Sequence, residues 1–463
     1  MLVVAKVIAS LTLFTKKMDT TKLLKKYNVA APRYTSYPTV PYWNTDKFTT
    51  GQWLNSLIKS YATHKEDGIS IYIHLPFCES LCTYCGCNTR ITKNHCVEIP
   101  YITALIKEWE MYCKVLGEKP KIKELHLGGG TPTFFSPQNL KYLITSIIGQ
   151  DNEGIACSFE GHPDNTTTTH LQVLHQLGFK RLSLGIQDFD SKVQLMINRF
   201  QTPEQVAHIT KEARALGYDS INFDLIYGLP GQTLKGLKQT IIEVINMWPE
   251  RIAFYSYAHV PWLKPGQRHY SEKDIPQGNE KFALYQIGRD LLLSAGYQEI
   301  GMDHFALKKD SLFKASESHQ LHRNFMGYTD QHTKILIGLG VSSISDCETA
   351  FAQNSKTLEG YVAQINNDCF AVEKGHLLTD KDLYIRQHIS NLMCKGFTYF
   401  HTEIPTVIIE RLKPLIADNL VQITGREVSI TETGKSFLRN VCMAFDEHLW
   451  DRQPQTNLFS NAV

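Results

Sequence analysis

Between about residues 69 and 260, short apolar runs alternate with loops and with longer stretches of helical spacing. The runs are Ser70–Leu75, Glu124–Leu127, Ala156–Glu160, Arg181–Ile186, Ile221–Ile226 and Ile252–Tyr257, rich in Ile, Leu, Phe and Tyr. Several read as apolar on both faces, the pattern of parallel strands covered on each side. Between them, Ile99–Leu116, Pro137–Ile148, Thr169–Leu177, Pro203–Leu216 and Leu237–Met247 place apolar residues at helical spacing. Gly117, Gly149, Gly178 and Gly217 stand at four of the ends, where a left-handed residue commonly closes a helix. Strand alternating with helix six times predicts βαβ units and a parallel sheet.

Six such units could form an incomplete barrel or an open doubly wound sheet. The polar residues choose between them. Cys78 follows the first run, Gly128-Gly-Gly-Thr131 the second, and Glu160 closes the third. Gln187 ends the fourth, Asp224 lies in the fifth, and Tyr257-Ala258 finish the sixth. Parallel α/β folds build their sites at the carboxyl ends of strands. Six ends contributing to one cavity predict a curved sheet, so the expected fold is α/β with a partial (β/α)6 barrel. Later segments break the rhythm: a helix over Glu280–Ser294, then His322–Tyr328 and a Gly-rich Gly338–Ser345. From Leu377 onward short amphipathic helices precede a hairpin over Leu420–Ile430, turning at Thr424-Gly425, and a final helix. That order predicts a small winged-helix-like domain. The chain therefore divides into an extension (1–17), an N-terminal arm (18–68), the barrel with its flanking region (69–375) and the C-terminal domain (376–463).

Residues 1–17 are apolar, but Lys6 interrupts them and no small-x-small cleavage pattern follows, so Met18 reads as the native start. No run reaches the roughly 18 apolar residues of a membrane span. Lys and Arg number 48 against 46 Asp and Glu, a difference of 48 − 46 = +2, which gives no strong field toward nucleic acid or an anionic membrane. Near-neutral charge and the lack of long heptads fit a monomer. The 11 cysteines are odd in number, and four of them (Cys78, Cys82, Cys85, Cys87) fall within ten residues. This is no secreted disulfide framework; it points to one thiolate site in a reducing, cytoplasmic setting.

The cysteines read C-x3-C-x2-C over Cys78, Cys82 and Cys85. Structural zinc would want a fourth ligand, for which Cys87 or His95 could serve. An iron–sulfur cubane takes one thiolate per iron, so three cysteines would leave one iron open to a ligand. Spacing alone leaves both open.

With Tyr84 before the last cysteine, the run resembles the cluster motif of the radical S-adenosylmethionine superfamily. Pro32–Pro38, Cys85-Gly-Cys87-Asn88, Gly128–Thr133, Gly185–Phe189, Asp224–Pro230, Gly301–Phe305 and His322–Phe325 together resemble the oxygen-independent coproporphyrinogen III oxidase family. The resemblance implies a [4Fe–4S] cluster held by Cys78, Cys82 and Cys85, with Cys87 as an extra, non-ligating cysteine or a buried structural thiol. It implies S-adenosylmethionine, in two molecules, contacted by Tyr72, Tyr84, Gly129, Gly130, Thr131, Glu160, Gln187, Arg199, Asp224, Ala258 and Ile344. Arg199 and Asp224 could alternatively form an ordinary buried ion pair. The implied reaction is oxidative decarboxylation of two propionates of coproporphyrinogen III to vinyl groups, through a 5′-deoxyadenosyl radical. An electron donor such as flavodoxin or ferredoxin is the implied partner. Arg33 and Arg323 are candidates for the substrate carboxylates, or for tying down the arm. One departure stands out: Glu160-Gly-His162-Pro replaces the family's Glu-Val-Asp-Pro. The nearest rival is a haem-binding chaperone of the same superfamily; Cys87 and the Pro32–Pro38 arm favour the enzyme. A zinc-stabilised DNA-binding protein is more distant, since the wing turn holds one basic residue, Arg426.

Overall fold

The computed structural model describes residues 20–149, 153–452 and 458–462; the extension 1–17 lies outside them. Six strands form where the apolar runs place them: β1 Ile69–Leu75, β2 Ile122–Gly129, β3 Ala156–Gly161, β4 Phe179–Gln187, β5 Ser220–Tyr227 and β6 Arg251–Ser256. They lie side by side in chain order and are parallel throughout. Helices Glu98–Leu116, Pro137–Ile148, Thr168–Gln176, Pro203–Leu216 and Leu234–Met247 supply the connections. Each begins or ends on a device its sequence carries. Thr202 caps Pro203–Leu216 by accepting from the Gln205 amide, and left-handed Gly217 closes it.

The strands are not apolar on both faces. They alternate apolar and polar positions over most of their length, as half-polar strands do. Ile71, Ile73, Leu125, Leu127, Phe159, Leu184, Phe223 and Phe254 are fully buried and share one apolar core with the helices. Their neighbours Glu124, His126, Ser158, Glu160, Arg181, Ser183, Asn222, Asp224, Arg251 and Tyr255 face inward around a cavity. The sheet thus hides its apolar face under helices and keeps a polar interior, where a filled barrel would hold Val, Ile and Leu.

The lower end of that interior is closed by ion pairs. Arg181 Nη1 lies 3.1 Å from Asp330 Oδ1, and Arg251 Nε donates to Asp310 Oδ1 at 2.7 Å. Glu124 accepts from Ser70 Oγ at 2.9 Å and from Thr329 Oγ1 at 2.8 Å. Buried charges of this kind persist only when paired and hydrogen-bonded. The upper, carboxyl end stays open.

The sheet continues past the six strands on both sides. At one edge β7 Gln298–Ile300 and β8 His304–Ala306 run antiparallel; at the other β9 Leu336–Leu339 lies parallel to β1 and leads to antiparallel β10 Ile344–Asp346, β11 Ala350–Asn354 and β12 Val372–Leu377. The order is β12-β11-β10-β9-β1-β2-β3-β4-β5-β6-β8-β7, so the sheet curves without closing. Helices Asp380–Lys395 and Thr406–Ala417 then pack with a three-stranded sheet, Phe397–Tyr399 beside the hairpin Val421–Thr424 and Glu427–Ile430. The expected final helix is two short ones, Leu438–Met443 and Glu447–Asp451. The arm is pinned between the two parts: Tyr34 Oη donates to Asp446 Oδ2 at 3.0 Å, and Arg439 Nε to the Pro32 carbonyl at 3.0 Å.

Behind β1, Glu108 is fully buried on its helix. It accepts from Gly340 N at 2.8 Å, Tyr361 Oη at 2.7 Å and Asn354 Nδ2 at 2.6 Å. Burial pushes its carboxyl up to about 7, against the pull of those three donors. The folded state therefore holds the proton longer than the unfolded one. Through Glu108, stability falls as pH rises from the ordinary carboxylate range toward 7, then levels off. Glu108→Gln turns an amide toward donors and is expected to cost about 1–3 kcal/mol. It also removes that slope, which denaturant melts at pH 5 and pH 8 will register.

Candidate active site

The upper end of the interior holds a cavity of about 310 Å³. A second compartment of about 150 Å³ lies below it, and the two meet at Glu160, Ser183, Asp224 and Tyr255. Twelve of the expected site residues line the upper cavity: Cys78, Cys82, Tyr84, Cys85, Cys87, Gly129, Gly130, Thr131, Glu160, Gln187, Arg199 and Asp224.

The cysteine loop leaves β1 through Phe77 and is tied down by backbone bonds, Thr131 N to Phe77 O at 3.0 Å and Thr83 N to Ile197 O at 3.0 Å. Cys78 Sγ lies 3.4 Å from Thr131 Oγ1, and Arg199 Nη1 lies 3.6 Å from Cys82 Sγ. Burial pushes the Cys78 thiol up to about 11, whereas the hydrogen bond from Cys87 pulls Cys85 down to about 6. Cys87 lines the same cavity and is accessible from it. Among the described residues, no three Cys, His, Asp or Glu side chains converge tightly enough for a single ion. Three thiols on one loop are the set a cluster takes, each meeting a different iron.

Across the cavity, β2 ends in Gly128-Gly129 and Gly130 follows it. A Cβ on Gly129, which sits at φ 112°, would come 2.6 Å from His74; one on Gly130 would come 2.7 Å from the Pro76 backbone. Only glycine allows the strand end to lie this close to the cysteine loop. Glu160 stands beside it, accepting from Gly129 N at 3.2 Å, with His126 Nε2 3.4 Å away. Burial opposes its ionisation, but the His126 and Gly129 donors outweigh that and hold the carboxyl below its ordinary range.

Gln187 sits at a bulge between β4 and β5 with φ 66°, a left-handed conformation rare outside glycine. The residue after it fixes that turn. Asp188 is fully buried and accepts from Thr240 Oγ1 at 2.5 Å and Gln232 Nε2 at 2.6 Å. Gln187 Oε1 and Arg199 Nε are buried without partners. Arg199 directs Nη2 to the Gly185 carbonyl, while Asp224 accepts from Ser183 Oγ at 3.0 Å and Asn222 Nδ2 at 2.8 Å. The two do not form the simple ion pair. Burial, with the Glu160 charge, pushes Asp224 up to about 6. His162, the departure from the family pattern, lines the same cavity. Burial and the Arg199 charge hold it near 3, and its Nδ1 accepts from Asp164 N at 3.1 Å, so Nε2 carries the proton.

The remaining expected residues lie beside or away from the cavity. Tyr72 is stacked on His126, and its hydroxyl donates to His74 Nδ1 at 3.0 Å. Ala258 is linked to the cysteine loop through Gln267 Nε2, which donates to both Ala258 O and Tyr84 O. Ile344 opens β10, its carbonyl against Gly338. Arg33 donates to Ser256 O at 2.7 Å and stands 3.6 Å from Asp303; Arg323 donates to Tyr34 O at 2.6 Å and covers the Tyr328 ring. Both hold the arm. Sequence reasoning passed over His74, His126 and Asp188. His74 Nε2 donates to Asn88 O at 2.8 Å, tying the far end of the cysteine loop to β1. Polar residues at every second position of otherwise apolar strands were the available signal.

Comparison with known proteins places this geometry. The radical SAM superfamily model matches residues 72–244. The oxygen-independent coproporphyrinogen III oxidase of Pseudomonas aeruginosa is 37% identical over 442 residues, 92% of this chain and 95% of that protein. The Synechocystis protein of the same name is 35% identical, covering 96% of this chain and 97% of its own. The solved coproporphyrinogen III oxidase of Escherichia coli, described as a radical SAM enzyme, superposes with a TM-score of 0.85 at 33% identity, over 92% of this chain and 98% of that one. With three thiols facing a glycine-lined strand end inside a polar half-barrel, and relatives matching it nearly end to end, the chain belongs to the oxygen-independent coproporphyrinogen III oxidases of the radical SAM superfamily.

Proposed function

We propose that this chain converts two propionate side chains of coproporphyrinogen III to vinyl groups by oxidative decarboxylation, yielding protoporphyrinogen IX. The observation that carries the reading is the cavity itself, with Cys78, Cys82 and Cys85 on one wall and Gly129, Glu160, Gln187 and Arg199 on the others. These residues fit the cofactors that the family uses. Cys78, Cys82 and Cys85 as the ligand set, with Cys87 standing apart from it, would leave one iron of a [4Fe–4S] cluster open, the glycines leave room for a ligand's backbone-like groups, and Gln187 Oε1 and Arg199 Nε are buried groups in want of partners. Cys78, Cys82 and Cys85 would hold the cluster; Gly129, Gly130, Thr131, Glu160 and Ala258 would hold S-adenosylmethionine. Bound there, the pair supplies a hydrogen-abstracting radical by one-electron cleavage of the sulfonium.

The chain's own residues do the positioning. Glu160 keeps free lone pairs for hydroxyl donors, because Gly129 and His126 occupy only part of its oxygens. Asp224, at the junction of the two compartments, and Arg199, on the upper cavity's wall, would serve a second S-adenosylmethionine. Tyr72 and His74 brace the strand against which these groups stand. The chain is read as a monomer in a reducing cytoplasm that receives electrons from flavodoxin or ferredoxin; among the described residues, no helix is long and apolar enough to cross a membrane.

Anaerobic reconstitution with iron and sulfide, then reductant, S-adenosylmethionine and coproporphyrinogen III, tests the reading. Two vinyl groups should form per substrate. A chain that assembles the cluster and binds haem, yet forms no vinyl product, would belong to the chaperones instead.

A further inference from the structure

Each of the three thiols that would hold the cluster meets one polar hydrogen. Cys78 Sγ stands 3.4 Å from Thr131 Oγ1, Cys82 Sγ 3.6 Å from Arg199 Nη1, and Cys85 Sγ 3.4 Å from the Cys87 amide. The hydroxyl and the amide are neutral. Arg199 brings a full charge, from 117 residues along the chain. The fold fixes that pairing from both sides of Cys82. Leu81 O accepts from Asn198 Nδ2 at 2.8 Å, Thr83 N donates to Ile197 O at 3.0 Å, and Thr83 Oγ1 to Met196 O at 3.1 Å. Asn198, left-handed at φ 52°, closes helix Ser191–Ile197, and Arg199 N then donates to Gln194 O at 3.0 Å. Gly185 on β4 leaves room for the guanidinium, since a Cβ there would lie 2.9 Å from Nη2. Cysteine loop and arginine are thus tied to one helix end.

The charge is short of partners. Arg199 is 8% exposed. Its Nη2 goes to the Gly185 carbonyl, its Nη1 to the Cys82 sulfur, and its Nε to no acceptor. None of the three nitrogens meets a carboxylate. A buried cation in this state costs free energy until an anion faces it. A second S-adenosylmethionine would account for the free Nε, but not for Nη1 on a sulfur. We infer that Arg199 acts through Cys82, its buried charge raising the reduction potential of the site that the three thiols form. In the step concerned, an external one-electron reductant gives up one electron and the thiolate site gains one negative charge. No proton moves, and no bond to this chain forms or breaks. Potentials of such clusters follow net charge, hydrogen bonds to sulfur and solvent exposure. A cation fixed in the wall attracts the site more strongly after the electron than before, and burial keeps salt from screening it. Removing it makes reduction harder. The inference rests on the proposed function, through the cluster.

Dye-mediated potentiometric titration of the anaerobically reconstituted full chain tests this, with dithionite as reductant and neither S-adenosylmethionine nor substrate present. Arg199→Leu and Arg199→Gln should each lower the midpoint by at least about 59 mV, about tenfold in a one-electron equilibrium. Arg199→Lys keeps a compact charge and should shift it less than either. Thr131→Val removes a neutral neighbour of Cys78 and should also shift it less. Iron is counted in every preparation, so that loaded protein is compared with loaded protein. A native midpoint in either neutral variant overturns the inference. So does a lysine shift as large as the leucine shift, which would make packing the cause rather than charge. Loss of iron from both neutral variants overturns it too, by making Arg199 a brace for the loop. A native chain that takes up no cluster would instead strike the proposed function.

Discussion

Alanine at Cys82 abolishes turnover, and the variant emerges from anaerobic reconstitution without iron or sulfide above background. The argument is one of ligand number. Four thiols line the cavity from a loop of ten residues, and three of them, Cys78, Cys82 and Cys85, would each hold a different iron. Two leave a second corner bare to water and thiols in solution. Because the cofactor carries the hard step, losing it removes the whole acceleration, about 10⁶-fold or more for an enzyme, rather than a fraction of it. The informative companion is Cys87→Ala. Cys87 meets Cys85 through its thiol and through its amide, 3.4 Å from Cys85 Sγ, and its carbonyl accepts from Lys264; alanine removes the thiol contact and keeps the two backbone ones. Cys87→Ala should therefore retain iron at the native level. Equal iron loss in both variants would make Cys87 a ligand; iron and turnover retained in Cys82→Ala would remove Cys82 from the site.

Much of this architecture can be read from the chain. Helices Pro137–Ile148 and Pro203–Leu216 begin and end where proline, threonine and glycine place them, and all six barrel strands form. What escapes reading has physical causes. β9, Leu336–Leu339, contains Gly338 and precedes Gly340, so it lacks the branched residues that mark a strand. Both glycines are demanded by packing: a Cβ on Gly338 would lie 2.5 Å from Ile344 O, and one on Gly340 2.5 Å from Tyr101 Oη. Helix Ser191–Ile197 is too short to declare a period, and its N-cap, Asp190, follows directly on the buried Asp188 turn. The polar inner face was visible letter by letter in Ser70, Tyr72 and His74 between isoleucines. Reading several of the strands as apolar on both faces drew attention away from His74 and His126, which hold the strand ends in place. Arg33 and Arg323 show what a motif leaves open. It marks an arginine for a carboxylate or for the arm, and the fold adds that backbone carbonyls and a tyrosine ring already engage part of each.

Glu160→Gln raises the KM for S-adenosylmethionine by about 10²–10⁴-fold, two charged hydrogen bonds at about 1.5–3 kcal/mol each, while leaving cluster iron unchanged. The side chain can do this work because β3 delivers it to the one place where its environment keeps it ionised. Gly129 N–H and His126 approach from one side, and Gly128 has no Cβ to push it away; a Cβ there would sit 3.0 Å from Oε1. Glutamine preserves the shape but presents an NH2 where Gly129 or a ribose hydroxyl already offers a hydrogen. A donor then faces a donor in a buried site, the arrangement that discriminates most strongly. His126→Phe separates support from contact. The ring can still stack on Tyr72, 6.0 Å away, but the Nε2 donor to Glu160 is gone. One hydrogen bond at about 1 kcal/mol corresponds to roughly a fivefold rise in KM, far below the glutamine effect. If Glu160→Gln changed kcat alone, with KM native, the carboxylate would be acting on the substrate instead. If iron content fell with it, Glu160 would be bracing the cysteine loop through the Gly129 strand end, and its place in the cofactor pocket would have to be given up.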